Sequence, residues 1–492
     1  MAFRQQAMES ALNRGTQTWG IASETVLCSV SFLAAHKAQL CQRNLQNRHI
    51  PLQIVPISFS QNPIKCTHKM CSVSGRQSIK RGNMRKNFQK FMLLWFGELV
   101  SSIGSGLTSF GLGVYVFRQT GSAADMALVS LLAFLPALLL SVPAGVLADR
   151  YDRRMLMMVG DGCSALGILY IFFCMQTGGA SLAQICIGVT VSSVFSSLLE
   201  PAYRATVSDI LEKEDFSRAS GLVSLAGSAR YLVSPLLAGI LLSVSDIRLL
   251  LILDMGTFLL TVICTGVVRR GLPSKAAEAK EAFFTLLKEG WQAVTQKKGV
   301  FILILVSSAM TCFMGAFQIL AEPMILAFSD SATLGISETI CASGMLVSSL
   351  FLGVRGIRKG YVKALALSLT IAGASMAAFG LRENLILICA AGFTFFAMLP
   401  FANNSLDYLV RTNIADELQG RAWGLIGFLS QIGYVVAYGF SGLLADGIGS
   451  RLQIGVGRGS ALVIIAAGAL LALIALSLYP IRSIRLLEKS EA

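Results

Sequence analysis

Five charged residues crowd a six-residue stretch, Asp149, Arg150, Asp152, Arg153 and Arg154, and Gly145 stands one helical turn ahead of them. A carboxylate beside guanidinium groups can pair with one of them or with the positive N-terminal end of a nearby helix. Made in one arrangement of a rocking helix bundle and broken in another, such a contact is a conformational latch. Anchoring of a turn by arginines at a membrane surface explains the basic residues without a latch, but leaves Gly145 and Asp149 at this spacing unexplained. Gly145 is expected to let two helices approach closely.

A second set of charges lies inside apolar sequence: Glu98, Asp161, Arg230, Asp254 and Glu322. A charge at the centre of a membrane-spanning helix costs about 2.5 to 3.5 kcal/mol on insertion scales, so such residues mark ion or substrate pathways by default. Glu98 and Glu322 are the first candidates for taking up a proton or meeting a cationic substrate. Asp161 and Asp254 fit structural pairing better, with Arg230 able to neutralise one of them. The alternative for each is a buried ion pair or a rim residue. From Met84 onward there is no histidine, so a proton step must use carboxylates, water or charge pairs. Pro323 directly follows Glu322 and frees a backbone carbonyl there, which allows a bend. Asn403, Asn404 and Asp407 close an apolar run and read as gate residues.

Other chemistries lack their residues. No phosphate-binding loop of the Gly-x4-Gly-Lys-Ser/Thr kind occurs, and Gly455–Ser460, though glycine-rich, reads as a flexible loop. Cys66, His68 and Cys71 do not follow a four-ligand zinc spacing. Seven further cysteines, Cys163 to Cys389, are spread singly and read as packing residues. With no nucleophile constellation, no metal spacing and no cofactor fingerprint, enzyme function is not expected.

The elements that must position these charges follow from composition. The 492 residues are 54% hydrophobic and only 14% charged, too apolar for a water-solvated surface. In lipid every backbone polar group must be satisfied internally, and long uninterrupted apolar runs select helices over a barrel. Each span needs about 20 apolar residues. The runs fall at 91–117, 125–148, 155–175, 182–199, 219–243, 248–268, 300–327, 332–353, 362–380, 384–402, 422–444 and 460–479. They predict an all-α membrane protein of twelve transmembrane helices. The longest link, 269–298, divides them into 84–268 and 299–480, two six-helix parallel repeats facing a central site. The links after even-numbered spans carry most of the lysines and arginines, so both termini are expected on the cytoplasmic side. The net charge of +14 then needs no nucleic acid.

Residues 1–83 differ sharply, with ten Lys or Arg, two acidic residues and all three histidines. They read as a basic extension outside the membrane body, either a transit peptide or sequence upstream of the natural start. Met84 opens a short basic leader into the first span, and Lys80, Arg81 and Gly82 are encodable by a purine-rich stretch like a bacterial ribosome-binding site. The 269–298 link, with Phe283, Leu286, Leu287 and Trp291 at helical spacing, reads as an interfacial amphipathic helix, and 481–492 as a cytoplasmic tail.

The turn resembles the loop between spans 2 and 3 of the major facilitator superfamily, matching at Gly145, Asp149, Arg150, Arg153 and Arg154. Asp152 stands where many members have glycine, and the Asp-Arg-Arg form is similar to the drug-exporter branch that includes macrolide efflux proteins. Glu200–Ile210, Pro235 with Gly239, Ile336–Val347 and Glu417–Leu425 extend the likeness over about 84–480, and Gly353–Gly360 is a degenerate echo of the loop. The span 4 arginine of many proton-driven drug antiporters is missing. The resemblance implies the major facilitator fold, a cavity lined by the first helix of each half, and export of amphipathic, macrolide-type molecules by proton antiport from a bacterial plasma membrane. It implies no partner beyond substrate, proton and lipid, and a monomer. Siderophore export and lysophospholipid flipping are alternatives in nearby branches; a ligand sensor that transports nothing is the alternative from another class.

N-terminal sequencing of natively expressed protein is expected to begin at Met84, and a mass that includes residues 1–83 would overturn that start.

Overall fold

The computed structural model describes residues 67–211, 215–269, 291–292, 294–357, 359–414 and 419–489. Cys66, the side chains of His68 and Cys71, and the 269–298 link apart from its ends lie outside that description, so neither the candidate metal cluster nor the amphipathic helix at Phe283, Leu286 and Leu287 enters it.

Twelve helices among the described residues are long and apolar enough to cross a bilayer. Spans 1 to 6 are Asn87–Thr120, Ala123–Arg150, Arg153–Gln176, Leu182–Ile210, Arg218–Val244 and Ile247–Arg269. Spans 7 to 12 are Lys298–Leu326, Ser331–Arg355, Tyr361–Gly380, Leu385–Arg411, Gln419–Arg451 and Gly455–Leu478. The short links between them are built to cap. Ser122 accepts from the amide of Asp125, Asp152 from Arg154, Ser181 from Gln184, Asp330 from Thr333, and Asn384 from Ile386 and Leu387. Each cap satisfies a first-turn N–H that has no partner within its own helix. Its bonds to Thr333 hold the Asp330 carboxyl below the usual carboxylate range.

Two spans are interrupted. Span 4 consists of Leu182–Ser196 and Leu199–Ile210, and span 5 of Phe216–Leu232 and Ser234–Val244. Both second pieces carry proline in their first turn, Pro201 and Pro235, where its missing N–H is tolerated. Pro323 leaves span 7 a continuous helix that ends three residues later.

Two expectations from the sequence change. Gly455–Ser460 is the first turn and a half of span 12 and not a flexible loop. Gly457 packs on Ala327 and Gly459 on the backbone of Ala445 and Gly449, so the glycines serve close approach. Span 10 continues to Arg411, which places Asn403, Asn404 and Asp407 on its helix, all exposed, and not at its close.

Spans 1–6 and 7–12 form two six-helix halves, the division that the sequence predicts. Within the second, Phe317, Phe379 and Phe395 interlock with centroid separations of 4.7 and 4.6 Å about Phe317. The halves meet through spans 2 and 11 and through spans 5 and 8. Their closest contacts gather at the end of the molecule opposite the 149–154 turn, called the far face below; the turn marks the motif face. Gly335 packs on the Pro235 carbonyl, Gly442 on the Ala123 carbonyl, and Thr339 Oγ1 donates to the Leu232 carbonyl at 3.1 Å. Span 8 packs on the far-face piece of span 5 more than on the other. Among the described residues the contacts between the halves are therefore weighted towards the far face.

At the crossing of spans 9 and 12, a side chain on Gly373 would meet the backbone of Gly468 and Ala472. Gly373→Leu is expected to destabilise the protein by about 1 to 3 kcal/mol, the usual cost of overpacking, measured as a lowered Tm in detergent.

Candidate transport site and gate

The 149–154 turn is organised around Arg153. Span 2 ends with Asp149 and Arg150 in its last turn, and span 3 begins at once, with Asp152 as its cap. That geometry turns Arg153 back across the turn. Its guanidinium pairs with Asp209 at 2.8 Å and with Asp149 at 3.6 Å, and donates to the carbonyls of Ala148 and Ala205. One side chain, 15% exposed, thus joins the ends of spans 2, 3 and 4. Asp149 is bound within its own half, and its side chain is 53% exposed.

The other motif positions separate by role. Arg150 is exposed, whereas Arg154 is only 5% exposed and turns into the first half instead of anchoring the turn in water. Gly145 does not serve a close helix contact here, because a Cβ built on it meets nothing within 4 Å. Asp152, the departure from the family pattern, pairs with Arg269 at 2.8 Å and ties the start of span 3 to the end of span 6.

The intramembrane charges form two groups. In the first half, Asp161 and Asp254 are each 1% exposed. Asp254 takes contacts from the hydroxyls of Ser105 at 3.5 Å and Thr257 at 3.4 Å, and it packs against Gly104 of span 1. Asp161 lies within electrostatic reach of both Glu98 and Asp254, and its Oδ2 is buried without a hydrogen-bond partner. Arg230 is within reach of Glu98 and of Asp254, so it serves two of the three carboxylates. Its span also crosses span 1 closely, since Gly106 packs on the Arg230 carbonyl.

Glu322 stands apart, in the second half. Its Oε2 is buried with no hydrogen-bond partner and is aimed at Gly113, so the first helices of the two halves touch at this carboxylate. Glu338 of span 8 lies within its electrostatic reach. Sequence reasoning missed Glu338, although an acidic residue inside an apolar run was the available signal. It also missed Asp209, whose signal was an acid at the basic end of span 4. Among the described residues no group of three or more His, Cys, Asp or Glu is placed to hold a metal ion.

Between these groups lies an aromatic surface. Phe134 of span 2 packs on Tyr434 and Tyr438 of span 11 at 5.6 and 5.8 Å. Tyr434 reaches the Met314 sulfur at 3.2 Å, and Tyr438 donates to Gln318 at 3.4 Å. Aromatic rings on spans 2 and 11, the two tyrosines with polar tips, suit an amphipathic molecule. The span 1 aromatics divide differently: Phe91 and Phe110 are core residues, Trp95 donates to the Leu222 carbonyl at 2.6 Å, and Phe96 is exposed. A cavity of about 380 Å³ lined by Tyr115, Arg118, Asp246 and Arg248 opens on the far face, away from the carboxylates.

Arg153→Ala removes a charge-assisted hub and leaves Asp209 and two carbonyls to find water. A loss of roughly 1.5 to 3 kcal/mol in stability is expected, with Arg153→Lys recovering only part because a point charge cannot span four acceptors; thermal unfolding of the three proteins in detergent measures both.

The model of the Major Facilitator Superfamily matches residues 94–335. The chain is 27% identical over 373 residues to Macrolide efflux protein A of Streptococcus pyogenes, covering 73% of this chain and 90% of that protein. It is 22% identical over 377 residues to Multidrug efflux pump Tap of Mycolicibacterium fortuitum, covering 73% and 90%. Among solved structures, a bacterial homologue of the iron transporter ferroportin in an inward-facing state superposes with a TM-score of 0.63 at 14% identity, covering 80% of this chain and 99% of that one. A bacterial homologue of the lysosomal transporter Spinster gives 0.63 at 15% identity, covering 82% and 99%. Twelve spans in two halves and these likenesses mark the chain as a multi-pass membrane transporter that resembles the major facilitator superfamily and, within it, macrolide efflux proteins.

Proposed function

We propose that this protein is a secondary active exporter of amphipathic, macrolide-type molecules, working by alternating access and proton antiport, as a monomer in a bacterial plasma membrane with both termini cytoplasmic. The observation that supports efflux of this class is the likeness to Macrolide efflux protein A along nine-tenths of that relative's length. The bias of lysine and arginine towards the motif-face links supports a cytoplasmic motif face. In that orientation halves joined towards the far face leave the cytoplasmic side as the one to open for loading, which supports the reading of an exporter. An amphipathic molecule entering from the cytoplasm or the inner leaflet meets Phe134, Tyr434 and Tyr438 along the cleft.

Coupling is assigned to Glu322, with Glu338 beside it and Glu98 as the first-half counterpart. A carboxylate buried without a partner is costly as an anion, so it takes up a proton before it is enclosed. Glu322 sits where spans 1 and 7 touch, and its protonation removes a charge from the contact that must close and reopen on each cycle. Asp254, bound by hydroxyls and reached by Arg230, is assigned to holding the first half together, along with Asp161 within its electrostatic reach. The latch is assigned to Asp149: released from Arg153, its carboxylate can accept from a helix N-terminus of the other half when the motif face closes.

Bacteria lacking their own pumps and expressing this chain are expected to accumulate several-fold less radiolabelled macrolide than vector controls, with the difference abolished by an uncoupler. Accumulation equal to the vector, with the protein present in the membrane, would remove macrolides as substrates. Glu322→Gln is expected to cut uncoupler-sensitive export about tenfold or more at unchanged protein level, whereas Asp161→Asn should lower the yield of folded protein. Full export by Glu322→Gln would take that residue out of coupling.

A further inference from the structure

Asp446, near the far-face end of span 11, reaches across to the other half and caps span 2. Its Oδ2 accepts from Ser122 Oγ at 2.7 Å and from the Ala124 amide at 3.0 Å, and its Oδ1 accepts from the Ala123 amide at 3.0 Å. Ser122 in turn accepts from the Asp125 amide at 3.1 Å. The first three amides of span 2 are therefore satisfied by one carboxylate of the opposite half and the serine it holds. These are donors that a helix cannot satisfy for itself, at the end where its dipole favours an anion.

The backbone is shaped for this contact. Gly442, one turn before Asp446, packs on the Ala123 carbonyl and the Ala124 Cα, and a side chain there would collide with both. Ala445 beside it is fully buried. The neighbouring contact between spans 5 and 8 is different in kind, made by Gly239, Gly335 and the Pro235 carbonyl. Asp446 is half-buried at the surface, so on separation both the carboxylate and the amides pass to water, which makes the contact reversible.

We propose that Asp446 is the far-face latch of the transport cycle: its capping of span 2 holds the inward-open state, and its release permits the outward-open one. Spans 2 and 11 run antiparallel, so the C-terminal end of each lies beside the N-terminal end of the other. Asp149 ends span 2 at the motif face and Asp446 ends span 11 at the far face, which gives each helix a carboxylate for the other's N-terminus. In this structure the Asp446 contact is made and Asp149 is held by Arg153. The latch rests on the alternating-access reading.

The test uses the full chain with its native cysteines replaced and spin labels at Thr177→Cys and Arg382→Cys, exposed far-face positions of the two halves. Pulsed electron resonance reads their distance with and without an imposed proton gradient and added macrolide. In the Asp446-intact protein, a short distance should dominate without either, and a longer one should appear with both. Asp446→Ala is expected to raise the ratio of long to short at least fivefold without a gradient. Asp446→Asn, which keeps size and an acceptor but loses the charge, should raise it less and guards against misfolding of the alanine variant. Two distances in the intact protein with a ratio that neither variant moves would overturn the latch and leave alternating access standing. One fixed distance under every condition would overturn both.

Discussion

Hydrocarbon offers no hydrogen bonds, and the arrangement of this protein follows from how its polar groups are satisfied without water. The backbone answers with helices whose ends emerge where short links supply caps, Ser122, Asp152, Ser181, Asp330 and Asn384 among them. Side-chain charges answer by clustering. Arg153 gathers Asp149, Asp209 and two carbonyls into one hub at a surface where three spans end. Asp254 is bound by hydroxyls and reached by Arg230. Polar atoms left unpaired in such a medium stand out, and Glu322 Oε2 and Asp161 Oδ2 are two of them.

The same constraint separates what is rigid from what can move. Within each half, glycines and alanines bring helices into backbone contact, as at Gly167 with Gly188 and Gly373 with Gly468. In lipid, where apolar side chains gain little by leaving the solvent, such packing is the main source of cohesion. Between the halves the main contacts join spans 2 and 11 and spans 5 and 8, with spans 1 and 7 touching at Glu322, and hydrogen bonds near water tie the seam. Cohesive halves with a polar, water-reachable seam can rock as bodies. The proline interruptions at Val233 and before Pro201 fall in spans 5 and 4, beside the seam and the Arg153 hub.

A charge hub and a capping carboxylate occupy opposite ends of span 2. At one end Arg153 competes for Asp149; at the other Asp446 takes the helix N-terminus. Both are charge-assisted bonds at the edge of the membrane, where the alternative partner is water. Each is therefore worth little in absolute terms, and their difference can bias which face is open without locking either. The buried carboxylates carry the opposite burden, since moving a proton to or from them changes the cost of enclosing them.

Much of this was legible in the residues themselves. Apolar runs of spanning length separated by polar links leave helices no alternative in lipid, so the twelve spans and the link dividing them follow from composition and spacing. The charge-dense turn at Asp149–Arg154 and the isolated Glu98, Asp161, Arg230, Asp254 and Glu322 were visible because charge is rare in such sequence. What tertiary structure alone decided is which charge meets which. That Arg153 takes Asp209, that Arg230 serves two carboxylates, that Gly145 faces no helix, that Gly455–Ser460 is helical packing and that Asp446 caps span 2 depend on helices brought together from distant parts of the chain. Sequence periodicity marks the face a residue occupies. In lipid, where both partners and solvent are apolar, it carries no signal of what that face meets, because the packing that chooses the neighbour is made of backbone contacts and single hydrogen bonds.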